Sequence, residues 1–219
     1  MIFLGSKISS KQRDMVLYGM GIYQLGNKAL TQIGYIFSDN YIMASNLPLH
    51  LCGLSGILAG IVVFYRKQML FEFLYFFGLV GFIHSVLTPE FTGGVSSWKI
   101  FDYYVGHSML IIIPVWLMKY YDFRLRHNAW WTSFIYLQLL VVLVSQANSI
   151  IGNGANYMYL AARPLVKNPM IVGDWPWYIL GFEVLGFIHI YVFFKLRASL
   201  YTPHTHIFKF IYIYIYKYL

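Results

Sequence analysis

Long apolar runs separated by short polar breaks make up most of this chain. Spanning a bilayer takes about 20 mostly apolar residues, within a range of about 17–25. Six runs qualify, at residues 14–36, 48–65, 69–88, 101–118, 129–151 and 175–194. A lone span must satisfy its own backbone hydrogen bonds, which makes each of these a helix. The barrel signature, short alternating segments with frequent turns, is absent from all six. The pattern predicts an all-α, polytopic transmembrane helix bundle of about six spans. The first run is the least apolar, because it carries Gln24, Asn27, Lys28 and Gln32. Those side chains are costly against lipid, so that face is expected to look into the bundle. Residues 1–197 read as one transmembrane domain. Residues 198–219 form a tail ending in FKFIYIYIYKYL. Its Ile-Tyr alternation has strand period. It reads either as an aromatic interfacial anchor or as an adventitious product of a repetitive coding sequence.

Composition supports the membrane reading. The chain is 59% hydrophobic and 11% charged, against roughly 25% charged residues in soluble domains. The net charge of +8 bears on loop orientation rather than on nucleic acid, since no basic-aromatic strip for a nucleic-acid strand is present. One set of span ends carries Lys7, Lys11, Arg13, Arg66, Lys67, Lys119, Arg124, Arg126, Lys195, Arg197, Lys209 and Lys217. The other carries Lys99, Arg163 and Lys167. Lysine and arginine favour the cytoplasm, so both termini are expected there, in a multi-pass protein of the cell membrane. One cysteine excludes an intrachain disulfide.

This topology assigns depths. With the second span entering from the outer side at Pro48, Cys52 lies ~6 Å down; His84 comes to ~6 Å and His107 to ~9 Å. His50, Asn148 and Glu183 fall in the same outer half, with Trp175 and Trp177 at the interface. The inner half looks much poorer in polar groups. Intramembrane ionisable groups are functional candidates by default. A lone cysteine is also commonly an inert small hydrophobe, and a lone histidine a satisfied hydrogen-bonding residue. The coincidence of depth singles out Cys52 and His107. A free thiol has a pKa near ~8.5, raised by apolar burial, and a histidine can take its proton so that the thiolate attacks an ester carbonyl. His50 lies two residues from Cys52 and points elsewhere. It is expected to support the helix entry or bind a head group. Asp102 is placed to orient a histidine or to stand solvated at head-group level. Trp175, Pro176 and Trp177 form an interfacial cluster, with the proline in a first helical turn.

Several segments together resemble one family: Asn46 to Cys52; Phe71 to Leu79 running on to Leu87-Thr88-Pro89; Gly106-His107-Ser108; Asn156 to Leu160 with Arg163-Pro164; and Trp175-Pro176-Trp177-Tyr178. The chain looks like the YwaF-like bacterial membrane proteins, related to eukaryotic transmembrane protein 164. The resemblance implies a Cys/His acyltransferase that remodels phospholipids, with Cys52 as nucleophile and His107 as its histidine. It also implies one further N-terminal helix, seven in all, absent here; the Ile-Tyr tail has no counterpart. The expected function is lipid acyl transfer or lipid ester hydrolysis through a Cys52 thioester in the outer half of the bilayer. The partner is a membrane phospholipid or lysophospholipid. His50, His84, Asn148, Trp175, Trp177 and Glu183 are candidate substrate contacts. No metal, cofactor or nucleic acid is expected. Two alternatives stay open: a non-catalytic carrier or subunit, and a haem- or metal-binding protein using His50, His84, His107 and His189.

Overall fold

The computed structural model describes residues 2–38, 41–89, 96–164 and 171–201. The Ile-Tyr run, Lys167, Lys209 and Lys217 lie outside the described residues. Among those described, all regular structure is helical: α1 (Ser10–Phe37), α2 (Met43–Asn46), α3 (Leu51–Phe64), α4 (Gln68–Leu87), α5 (Ser97–Tyr120), α6 (Ala129–Ile151) and α7 (Trp177–Tyr201), with short 3-10 turns at Leu4–Lys7 and Tyr157–Tyr159. Helices α4, α5 and α6, and Trp177–Arg197 of α7, are long and apolar enough to cross a membrane; α3 is apolar but has 14 residues. The chain is an all-helical, multi-pass membrane bundle.

Local chemistry explains where α1 begins. The Ser9 hydroxyl accepts from the Gln12 N–H at 3.3 Å and the Gln12 side chain accepts from the Ser9 N–H at 2.9 Å, a reciprocal capping box. Helices α1, α3, α4 and α5 pack as the inner group, and α6 and α7 pair alongside. Small residues set the inner spacing. Gly56 and Gly60 of α3 lie four apart and face α1, the close-approach pattern of membrane helices. A Cβ at Gly21 would sit 2.8 Å from Val63 Cγ1. At Gly78 of α4 the obstacle is backbone: a Cβ would sit 2.5 Å from the Leu110 carbonyl oxygen. Gly78→Ala must therefore push α4 off α5. The expected cost is about 2–3 kcal/mol, the upper part of the range for overpacking a core because the obstacle is backbone, read as a lower melting temperature in detergent micelles.

Two polar knots hold the end of the bundle where α1 and α4 begin. In one, Asp14 of α1 accepts from the Tyr121 hydroxyl at 2.6 Å and from Arg66 at 3.3 Å, and the Arg66 guanidinium lies 4.4 Å over the Tyr121 ring. Burial and the bond to Asp14 push the Tyr121 phenol up to about 12. In the other, Glu72 of α4 is 1% exposed and accepts from the Arg126 guanidinium at 2.6, 3.0 and 3.2 Å, from the Arg126 N–H at 3.0 Å and from Gln68 at 2.9 Å. The Glu72 carboxylate beside it holds the Arg126 guanidinium above its ordinary pKa. This end is thus far from poor in polar groups; the expectation fails because pairing lets a buried carboxylate persist there.

Three helix starts also differ from the expected spans. Pro48 is not in a first turn, because Leu47 and His50 are extended (ψ 146 and ψ 150) and α3 starts at Leu51. Cys52 is therefore the second residue of its helix. Likewise α5 starts at Ser97, capped by the Ser96 hydroxyl, which accepts from the Lys99 N–H at 3.3 Å. His107 accordingly lies ~15 Å along α5. The Trp175-Pro176 pair precedes α7 rather than forming its first turn.

Candidate functional site

Cys52 sits where three helices meet. Its sulfur lies 4.0 Å from the Gly81 carbonyl of α4. A Cβ at Gly81 would be 3.2 Å from that sulfur and 3.5 Å from Leu110 Cδ1 of α5. Cys52 and Leu110 thus share one level, the bare face of Gly81. His107 is one turn back along α5 from Leu110, on the same face and ~4.5 Å nearer the end where α3 begins.

His107 is held by its own helix. Its Nδ1 lies 2.7 Å from the Tyr103 carbonyl, and its ring lies against the Tyr103 ring with centroids 4.2 Å apart. A carbonyl only accepts, so neutral His107 carries its proton on Nδ1 and has a bare lone pair on Nε2. Asp102 does not orient this ring by a hydrogen bond. Its carboxylate accepts from the Tyr23 hydroxyl at 2.5 Å and from Asn27 at 2.8 and 2.9 Å. Gln24, 1% exposed, donates to the Gly106 carbonyl at 2.8 Å, and Gln32 donates to the Asn46 carbonyl at 2.7 Å. The polar stripe of α1 therefore faces the bundle and lines this site.

Lys28 belongs to that stripe. Its side chain passes over Gly56, one turn beyond Cys52: a Cβ there would be 3.0 Å from Lys28 Cε and 3.9 Å from Nζ. Lys28 stands out in the sequence only as a charge in a membrane run, and spacing alone does not link it to Cys52. The missing signal is the Gly-x-x-x-Gly pattern at 56 and 60, which marks where α1 and α3 approach closely.

The remaining candidates divide into separate groups. His50 Nδ1 accepts from the Met158 N–H at 3.2 Å, and its ring packs on Tyr157 and Tyr159. Asn148 uses both ends of its amide on Tyr157, donating to the carbonyl at 3.0 Å and accepting from the N–H at 2.9 Å. The Tyr157 hydroxyl accepts from the Leu47 N–H at 2.9 Å and donates to the Met43 carbonyl at 2.6 Å, and burial pushes its pKa up. His50 and Asn148 thus fasten a cap of α2 and the Tyr157 turn over the start of α3. His84 meets His189 of α7, ring centroids 5.5 Å apart. Glu183 accepts from Gln138 between α6 and α7. Trp177 is 67% exposed, and Trp175, 59% exposed, donates to the Leu160 carbonyl at 3.1 Å. Among the described residues no three His, Cys, Asp or Glu side chains gather as a metal would require.

The family model of the TMEM164 family matches residues 1–194. The chain belongs to the TMEM164 family. The match runs from the start of the chain into α7 and so includes every helix that builds the Cys52 junction. Comparison with curated proteins and with solved structures finds no match. Within this TMEM164 family chain, the thiol, the imidazole and the ammonium are carried by α3, α5 and α1, three helices that pack on one another.

Proposed function

We propose that the protein is a lipid acyltransferase or lipid ester hydrolase in which Cys52 is the nucleophile and His107 the base. The observation that carries this reading is the 2.7 Å contact of His107 Nδ1 with the Tyr103 carbonyl: a carbonyl only accepts, which assigns the proton to Nδ1 and leaves Nε2 to take one. Apolar burial disfavours a thiolate. The Lys28 ammonium and the N-terminal end of α3 both favour negative charge at Cys52. The abundance of lysine and arginine at the opposite end supports cytoplasmic termini and a site in the outer half of the cell membrane.

In the first step Nε2 takes the thiol proton and the sulfur attacks the ester carbonyl carbon of a phospholipid. The C–S bond forms, the ester C–O bond breaks, and the imidazolium returns its proton to the leaving lysolipid oxygen. In the second step His107 takes a proton from a lysophospholipid hydroxyl or from water. That oxygen attacks the thioester, the C–S bond breaks and the thiolate is reprotonated. Lys28 is suited to hold the lipid phosphate or the oxyanion.

The test is acyl exchange in vesicles holding the full chain, a diacyl phospholipid and an isotopically labelled lysophospholipid, followed by lipid mass spectrometry. Wild type is expected to move acyl chains, and Cys52→Ala to fall to the protein-free background. Undiminished exchange in Cys52→Ala would sink the proposal.

A further inference from the structure

A narrow groove runs along the bundle beside Cys52, between α3, α4 and α6. Its volume is about 250 Å³. It begins at Leu51 and Leu143, near the level of Cys52, and runs ~10 Å along α3 to Leu58, Phe73 and Tyr136. The Phe73 and Tyr136 rings meet edge-on there, centroids 4.8 Å apart, and close that end. The walls are aliphatic and aromatic, and two lining residues carry hydroxyls: Tyr136 at the far end and Ser55, which is 2% exposed. Ser55 Oγ has no hydrogen-bond partner. A serine inside a helix ordinarily donates to the carbonyl one turn back; Ser55 does not. A buried hydroxyl left unbonded costs free energy unless something else accepts from it.

We propose that this groove seats the acyl chain of a membrane glycerolipid, with the Ser55 hydroxyl donating to the ester carbonyl at the head of the chain. The proposal rests on the acyl-transfer reading above and supplies its acyl subsite. Shape and chemistry select the occupant. The groove is smaller than the roughly 300–1,000 Å³ of ordinary small-molecule pockets, and far too narrow for a docked helix. Its mouth is bordered by Leu143 of α6, which is 52% exposed, so it opens toward lipid tails. An acyl ester is a flexible apolar rod with one acceptor-only carbonyl at its head. It matches apolar walls with one unused donor midway along the α3 side of the groove. Ser55 lies one turn below Cys52 on α3, so a carbonyl bonded to Ser55 stands about one turn, ~4.5 Å in height, from the thiol.

Photo-crosslinking in nanodiscs tests this without requiring turnover. The full chain is reconstituted with phosphatidylcholine carrying a diazirine either near the acyl carbonyl or at the chain terminus, and labelled residues are located by peptide mass spectrometry. The carbonyl-proximal probe is expected on Leu51 to Ser55, and the terminal probe on Leu58, Phe73 and Tyr136. Leu54→Trp, which fills the groove, lowers this labelling by about tenfold. Ser55→Ala lowers the carbonyl-proximal labelling by about fivefold, the loss of one hydrogen bond, and Ser55→Thr restores it. Labelling of α7 is unchanged in all three, which controls for misfolding. Cys52→Ala keeps the groove labels. An inactive protein with full groove labelling would therefore refute the catalytic reading and leave the groove standing. Labels spread evenly over α6 and α7, or unaffected by Leu54→Trp, would overturn the groove. So would a diazirine sterol that displaces the phospholipid.

Discussion

Replacing His107 with alanine is expected to lower acyl exchange about 10²–10⁴-fold, the ordinary contribution of a positioned base. Without Nε2 the thiol proton has no acceptor, so attack depends on the rare spontaneous thiolate. The deficit should therefore shrink as pH rises, because hydroxide does part of the work of the missing base. Added imidazole should recover part of the rate. A purely structural role for His107 predicts neither response. The Tyr103 carbonyl loses the ring N–H in the variant and keeps the backbone N–H of residue 107, so a melting curve should accompany the kinetics. An unaltered pH profile with an unaltered melt would remove His107 from the mechanism.

Arg126→Ala is expected to produce the largest loss of stability, about 3 kcal/mol, the lower end of the cost of breaking a buried ion pair. Glu72, 1% exposed, would keep Gln68 and the residue-126 N–H as donors and lose every guanidinium contact. Half of the Arg126 side chain is exposed, which is why the lower end applies. The chain's single cysteine provides the readout: a thiol-reactive dye should report the transition as Cys52 becomes accessible. The double variant Glu72→Gln with Arg126→Met should recover much of the loss, because no unpaired charge is left. If the double variant is as unstable as Arg126→Ala, the uncompensated charge is not the cause.

The architecture was largely legible in the chain because membrane helices need long apolar runs. The bounds of α6 coincide with the expected span at 129–151, and those of α4 differ by one residue at each end. The polar face expected of the first span is also seen, since Tyr23, Gln24 and Asn27 bond α5. Boundaries failed where local chemistry overrides hydropathy. Hydropathy extends the second span to Pro48, but the contacts of Leu47 and His50 hold that stretch extended. Ser96 starts α5 four residues early through a cap that a hydropathy window does not weigh. The knot of Glu72 and Arg126 could not be read from spacing, because the partners lie 54 positions apart and neither segment advertises the other. For the site, similar depth singles out Cys52 and His107 in the sequence; the structure sets Cys52 level with Leu110 at Gly81, with His107 one turn back along α5. Asn148 falls at a similar depth, but both ends of its amide serve Tyr157. Lys28 was visible as a cost and not as a neighbour of the thiol.

The shortness of α3 has a consequence for the bilayer around it. Fourteen residues make a helix ~21 Å long, about 9 Å less than the hydrocarbon thickness of a typical membrane. The shortfall falls partly to the extended residues before Leu51. Irregular backbone is tolerated at that depth only when protein covers it. The Tyr157 hydroxyl over Leu47 and the Met158 N–H on His50 supply that cover. Lipid beside α3 meets a hydrophobic wall shorter than its own tails and must thin locally to match it. Thinning draws the ester layer of the nearest lipids inward toward the start of α3, the level at which the only thiol in the chain is found.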